Sequence, residues 1–157
     1  MKILSIDSGL ERTGYAIFEK AQKPIYVASG LIKTPKTASV PTRLKQIYDE
    51  LESIITHHAP NLIVVEQLFM FKNQKTVIVV AQSQGVVQLL AAQKAIPLEF
   101  LTPLQIKQIV TGYGNADKKS VEKMVALSGI DVSGKIDDEI DAIAAGLACC
   151  YLQKNLL

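Results

Sequence analysis

The sequence predicts an α/β domain built on a mixed sheet, and three observations carry that prediction. Short apolar runs at 61–66 and 97–101 alternate with segments of helical periodicity, the pattern of parallel β-α-β crossovers. The first three strand-like runs instead follow one another through tight turns, as in an antiparallel meander. The length of 157 residues, 48% of them apolar and 20% charged, is enough to bury one core, so a single domain over 1–157 is expected.

Ile3, Leu4 and Ile6 make residues 2–7 a buried strand, and that strand ends on Asp7. Gly9 and Gly14 bracket a turn, and GYAIFE at 14–19 is the second strand. The third, IYVASGLIK at 25–33, is bounded by Pro24 and Pro35. From Ser39 to His58 the period changes: Leu44, Ile47, Tyr48, Leu51, Ile54 and Ile55 recur at helical spacing, with Pro41 in the first turn. NLIVVE at 61–66 is a continuous apolar run ending in an acid, and reads as a buried parallel strand. A helix over 74–94 follows, apolar nearly all round, with Gly85 in its middle leaving room for another backbone. Such a helix is central to the core or shared with a partner chain. PLEFL at 97–101 is the last strand, and Thr102 with Pro103 opens a short helix through Val110. Gly112 to Gly114 form a loop, a helix covers 116–127, and the last helix runs from near Ile136 to Gln153.

Composition excludes several classes. No apolar run reaches the roughly 18 residues of a membrane span. The N-terminus carries Lys2 but no signal-peptide core with a small-residue cleavage site, so a cytoplasmic protein without membrane partners is expected. Cys149 and Cys150 are helical neighbours that point apart, which rules out a disulfide between them, and they lack the patterned His of a zinc site. The net charge of +2 decides nothing, but its distribution is uneven. Asp137, Asp138, Glu139 and Asp141 lie just downstream of Lys107, Lys118, Lys119 and Lys123, which suits an anionic substrate processed at a cation site.

A carboxylate at the end of a core strand is costly unless something pairs with it. Asp7 and Glu66 end two strands, and functional groups collect at the carboxyl ends of strands in open α/β sheets. On the last helix Asp138 and Asp141 share one face at i, i+3, and Asp137 and Asp141 share one at i, i+4. Each acid also has a plainer reading: Asp7 in an Asx-turn, Glu66 at a solvated strand end, Asp137 or Asp138 as a helix cap. Jointly they form a hard-oxygen pocket suited to Mg²⁺ or Mn²⁺. Two such ions about 4 Å apart suit phosphodiester hydrolysis.

The strings IDSG…TGYAIF, VVEQLFMFKN, QIKQIVTGYGNADK and DDEIDAIAAG, in this order over nearly the whole chain, resemble the RuvC family of Holliday-junction resolvases. The E-Q-x-F-x-x-K-N string with the Lys-rich segment and the D-x-x-D-A helix is the specific part. The resemblance implies a ribonuclease-H-like fold, a mixed five-stranded sheet flanked by helices. It implies a homodimeric, Mg²⁺-dependent endonuclease (Mn²⁺ also serving) that nicks two symmetry-related strands of a four-way DNA junction. Catalytic and metal-holding roles fall on Asp7, Glu66, Asp138 and Asp141, and Asp138 is chosen over Asp137. Phe69 matches an aromatic that contacts bases near the cut, where stacking on an unpaired base has a physical rationale. Lys72, Lys107, Lys118 and Lys119 are implied to face DNA, with Lys118 also at the active site. The helix at 74–94 matches the dimer helix, and a branch-migration motor is a further implied partner.

Departures are few. Ser8 stands where the family commonly has Pro, and the segment between Lys123 and Asp138 and the tail are short, which bears on DNA clamping and motor docking. Some members place His first in the D-x-x-D pair; with Asp138 there, an all-carboxylate site is expected. Three rivals are an actin-like ATPase module, suggested by DSGLERTG, a non-catalytic junction binder, and a less selective branched-DNA endonuclease. The first needs a second phosphate loop and a second domain, for which 157 residues leave no room.

Overall fold

The computed structural model describes residues 1–68 and 74–152. Strands β1 (Lys2–Asp7), β2 (Arg12–Glu19), β3 (Ile25–Lys33), β4 (Leu62–Glu66) and β5 (Leu98–Leu101) form one sheet in the order β3-β2-β1-β4-β5. β1–β2 and β2–β3 pair antiparallel, whereas β1–β4 and β4–β5 pair parallel, so the expected mixed five-stranded sheet is present. Helices α1 (Val40–His58), α2 (Gln74–Gln93), α3 (Pro103–Thr111), α4 (Lys118–Leu127) and α5 (Asp137–Leu152) flank it.

Side chains alternate between the two faces of a strand. Leu4, Ile6, Ile17, Ile63 and Val65 go to one face and meet Ile47 and Leu51 of α1 and Val87 and Leu90 of α2. Ile3, Ala16, Phe18, Leu62 and Val64 go to the other, under Ile106, Val121, Val125 and Ile143 of α3, α4 and α5. The same parity sends Ser5, Asp7 and Glu66 to the α5 face. Since Ile6 lies level with Val65, continuing the register brings Asp7 beside Glu66.

Local chemistry sets the helix ends. Ser39 accepts a hydrogen bond from the Thr42 N–H, with proline in the first turn of α1. Thr102 and Gln105 form a reciprocal capping box on α3. Asp117 caps α4 by accepting from the Ser120 N–H, so α4 begins at Lys118 rather than at 116. β2 starts at Arg12, two residues before the expected 14, because its ladder to β3 continues to the Arg12–Lys33 pair.

α5 lies almost wholly inside the fold, with every residue from Ala142 to Cys150 buried. Its small residues let it approach the sheet closely. A Cβ on Gly146 would stand 2.5 Å from the Phe18 ring and 2.7 Å from Ser5 Oγ. Ser5 Oγ in turn donates to the Ala142 carbonyl at 2.7 Å, a buried polar contact between β1 and α5. α2 is apolar on its inward and outward sides alike, as expected. Val87, Leu90 and Ala91 face the core, while Ile78 and Leu89 are 59% and 54% exposed. Among the described residues nothing lies within 4 Å of where a Cβ on Gly85 would stand, because Gly85 sits on that outward side. Among the described residues no helix is long and apolar enough to cross a membrane.

Candidate active site

Asp7 and Glu66 reach the site from the ends of adjacent strands, and α5 delivers its acids from the first turn laid across them. Asp7, Glu66, Asp138 and Asp141 all line one pocket of about 550 Å³. Ser8, Gly9, Gln67, Leu68, Gln84, Lys107 and Lys118 share its walls, with an apolar floor that includes Ile106, Val121 and Ala144. Helix rotation sets Asp137 and Asp138 apart. The Asp137 side chain is 73% exposed and outside the pocket lining, whereas Asp138 is 23% and Asp141 30% exposed.

Burial among like charges perturbs these groups. Asp7 is pushed up to about 8, first by burial and then by Glu66, Asp141 and Asp138, against the pull of Lys118. Glu66 rises to about 7, again through burial first and Asp141 second, with Lys118 and Lys107 opposing. Burial also raises Asp141, opposed by the Lys118 ammonium. Lys118 Nζ sits 3.3 Å from Asp137 Oδ2 and 3.3 Å from Asp141 Oδ2. Its burial disfavours the charge, but Asp141 and the hydrogen bonds to both acids outweigh that and raise its pKa.

Arg12, which sequence reasoning missed, stands at the mouth with Nε 2.9 Å from Asp138 Oδ2. The contact lacks the direction of a hydrogen bond, and among the described residues Asp138 Oδ2 has no hydrogen-bond donor and Ser8 Oγ no hydrogen-bond partner. The sequence signal was the hairpin: Asp7 pairs with Gly14, so Arg12 projects past the end of β1. Gln84 of α2, also missed, donates from Nε2 to the Glu66 carbonyl at 2.8 Å and fixes the end of β4. A third is Gly14. A Cβ there would stand 1.9 Å from the Asp138 carbonyl oxygen, so only glycine lets the first turn of α5 rest on β2.

The donor set fits a hard divalent cation. A buried Asp7 forced toward its neutral form, with Glu66 and Asp141 also raised by burial, marks a site short of positive charge. Among the described residues, though, no three acids, histidines or cysteines stand ready as a cage. Lys118 and Arg12 occupy Asp141 and Asp138 in this arrangement. Lys107 lines the pocket beside Glu66, while Lys119 is exposed on the first turn of α4, outside that lining. Phe69 and Lys72 lie outside the described residues.

Comparison with known proteins gives a consistent result. The family model "Crossover junction endodeoxyribonuclease RuvC" matches residues 3–151. A curated protein of that name from Syntrophomonas wolfei is 43% identical over 100% of this chain and 91% of its own length. Another, from Thermosipho melanesiensis, is 40% identical over 92% of this chain and 93% of its own. Among solved structures, Thermus thermophilus RuvC in complex with a Holliday junction substrate superposes with a TM-score of 0.91 at 23% identity, covering 99% of this chain and 96% of that one. The yeast mitochondrial Holliday junction resolvase gives 0.66 at 14% identity, covering 98% and 82%. These two likenesses show the ribonuclease-H-like fold. Model match and sequence identity go further, and the chain belongs to the RuvC family of crossover junction endodeoxyribonucleases.

Proposed function

We propose that this single domain resolves four-way DNA junctions by nicking two symmetry-related strands, using Asp7, Glu66, Asp138 and Asp141 to hold Mg²⁺, two ions per site, with Mn²⁺ able to substitute. Endonuclease action with a divalent metal follows from family membership. The observation that carries the residue assignment is the gathering of these four acids from β1, β4 and α5 into one pocket lined by Lys107 and Lys118. A divalent cation there would supply Lewis acidity toward the scissile phosphate and make water more acidic.

The chain's own part is positional and electrostatic. Asp7, central among the acids, is the group whose charge a cation most relieves. Asp138, beside Arg12, and Asp141, held by Lys118, would offer their carboxylates to the cation once those contacts yield. Lys118, exposed enough to swing from its carboxylates, would then face the phosphate and stabilise developing charge. Lys107 and Lys119, with Lys72, would track the DNA backbone, and Phe69 would meet an unpaired base near the cut. The outward apolar side of α2 supports a homodimer that presents two sites to two strands. A branch-migration motor is part of the same reading on resemblance alone. Buried reduced Cys149 and Cys150 suit the cytoplasm.

The test is cleavage of a synthetic four-way junction beside linear duplex, Y-fork and three-way junction, with Mg²⁺ and with EDTA. Paired, symmetric, metal-dependent nicks confined to the four-way junction are expected. Cutting of all branched forms would make it a broader branch-specific endonuclease. Binding without cutting in any metal would overturn the catalytic assignment.

A further inference from the structure

Between α3 and α4 the chain displays an aromatic on a loop that is tied down from several sides. Tyr113 is 62% exposed, and Leu104, at the start of α3, is 57% exposed. The two belong to one patch: a Cβ on Gly114 would lie 3.1 Å from Leu104 Cγ, so the Leu104 side chain lies over the residue that follows Tyr113. Pro103, immediately before Leu104, lines the acid pocket, as do Lys107 of α3 and Lys118 of α4. The Leu104 end of the patch is therefore next in the chain to a pocket-lining residue.

The loop is built to hold its shape. Gly112 takes φ of +80°, and its N–H donates to the Gln108 carbonyl. Gln108 then clamps both glycines: Nε2 donates to the Gly112 carbonyl at 2.8 Å, and Oε1 accepts from the Gly114 N–H at 3.0 Å. Thr111 Oγ1 donates to the Lys107 carbonyl and accepts from the Tyr113 N–H at 3.1 Å. The Tyr113 carbonyl accepts from the Ala116 N–H. Ordering an exposed aromatic before it meets its ligand removes an entropic cost of binding.

Resting on the junction-cleaving reading above, we propose that Tyr113, flanked by Leu104, is a second stacking site for a base of the junction DNA, separate from Phe69. Nucleic acid rather than protein is the occupant because the segments on either side of the loop are rich in lysine. Lys107 stands one turn before the loop, and Lys118, Lys119 and Lys123 are exposed on α4 just after it. Against them stand the α4 cap Asp117 and Glu122, and Lys118 is shared with Asp137 and Asp141. An exposed aromatic on a loop between lysine-bearing helices suits a base face with its phosphates. Any base offers a π-face, so the contact adds affinity and alignment without demanding a sequence.

The experiment uses the full chain and a synthetic four-way junction carrying 2-aminopurine at the crossover, comparing wild type with Tyr113→Ser, Tyr113→Phe and Tyr113→Trp. Tyr113→Ser should weaken junction binding roughly tenfold and lose quenching of the probe, while Phe and Trp restore both. The dependence of affinity on salt should keep its slope, because no phosphate contact is removed. Melting temperatures within a degree or so of wild type would confirm that the fold is unchanged, as an exposed loop residue implies. Equal affinity of Tyr113→Ser and wild type, or a loss that Phe fails to restore, would overturn the stacking role. Failure of wild type itself to bind the junction would instead overturn the functional reading, and this inference with it.

Discussion

Asp7 ends β1 on the α5 face, next to Glu66, and its carboxyl is pushed up to about 8 by burial and by three neighbouring acids. An unfolded chain would titrate the same group near about 4. The folded state therefore holds a proton that the unfolded state has released, and folding stability contributed by Asp7 falls as pH rises from about 4 through about 8. Glu66, raised to about 7, acts in the same direction. Asp7→Asn removes the titrating group while keeping its shape. In EDTA the variant should melt above wild type at about pH 8.5, by roughly 1–3 kcal/mol more than at about pH 5.5. Adding Mg²⁺ at the higher pH should raise the wild-type melting temperature and leave Asp7→Asn nearly unmoved, while junction binding persists and cleavage is lost. Identical melting differences at both pH values would refute the crowding of charge around Asp7. Apparent metal affinity of wild type should also strengthen between about pH 6 and about pH 9, since a proton and a cation compete for the same oxygens. A flat metal midpoint across that range would contradict it.

Elements place those residues, and α5 does most of the placing. Its first turn rests on Gly14, its second is held by Ser5 Oγ, and its middle sits over Phe18 at Gly146. Gly14→Ala puts a methyl 1.9 Å from the Asp138 carbonyl oxygen, which is backbone and has no side-chain freedom to yield. The first turn of α5 must lift, at a cost of about 1–3 kcal/mol in stability. Cleavage should fall by roughly a hundredfold, since displacement near 1 Å is enough to spoil reacting geometry. Single-turnover rates on a saturating junction would read this directly, and a rate within about twofold of wild type would show that the seat tolerates the methyl. The contrast between what sequence disclosed and what it hid is clearest here. Alternation in KILSID and LIVVE places Asp7 and Glu66 on one face, because a strand's period is a local property. The helix signature at 137–152 was equally local. The choice of Asp138 over Asp137 needs the rotation of α5 on the sheet, and the Arg12–Asp138 contact needs a hairpin and a helix docked 126 residues apart. No window of sequence contains those relations; resemblance supplied the first and nothing supplied the second. Gly85, read as leaving room for another backbone, faces outward, so that room lies where a second chain rather than this chain's own core would use it.

At the scale of the whole molecule, two proposed properties, a DNA path and a homodimer, can be tested at the surface. Lys107 is partly buried in the rim and projects its charge over the acids, so Lys107→Ala should weaken junction binding and reduce the salt slope by about one phosphate contact. An unchanged slope would remove Lys107 from the DNA path. The second property is assembly. Ile78, Ala81, Gly85 and Leu89 follow one another along the outward side of α2 at three- and four-residue intervals, all exposed. Two large aliphatic side chains 59% and 54% exposed on a helix with little charge form a stripe that water covers poorly. Packing this stripe against its own copy about a two-fold axis would bury it and set two acid pockets in symmetric positions. Leu89→Glu introduces a charge at that contact while leaving the core side, built on Val87 and Leu90, untouched. Light scattering should then show a shift from dimer to monomer at micromolar concentration, with little change in secondary structure. Single nicks should accumulate on a four-way junction, because the second strand now depends on a separate binding event. A variant that stays dimeric and still cuts both strands together would move the interface off α2, and the two symmetric pockets would have to be brought together by another face.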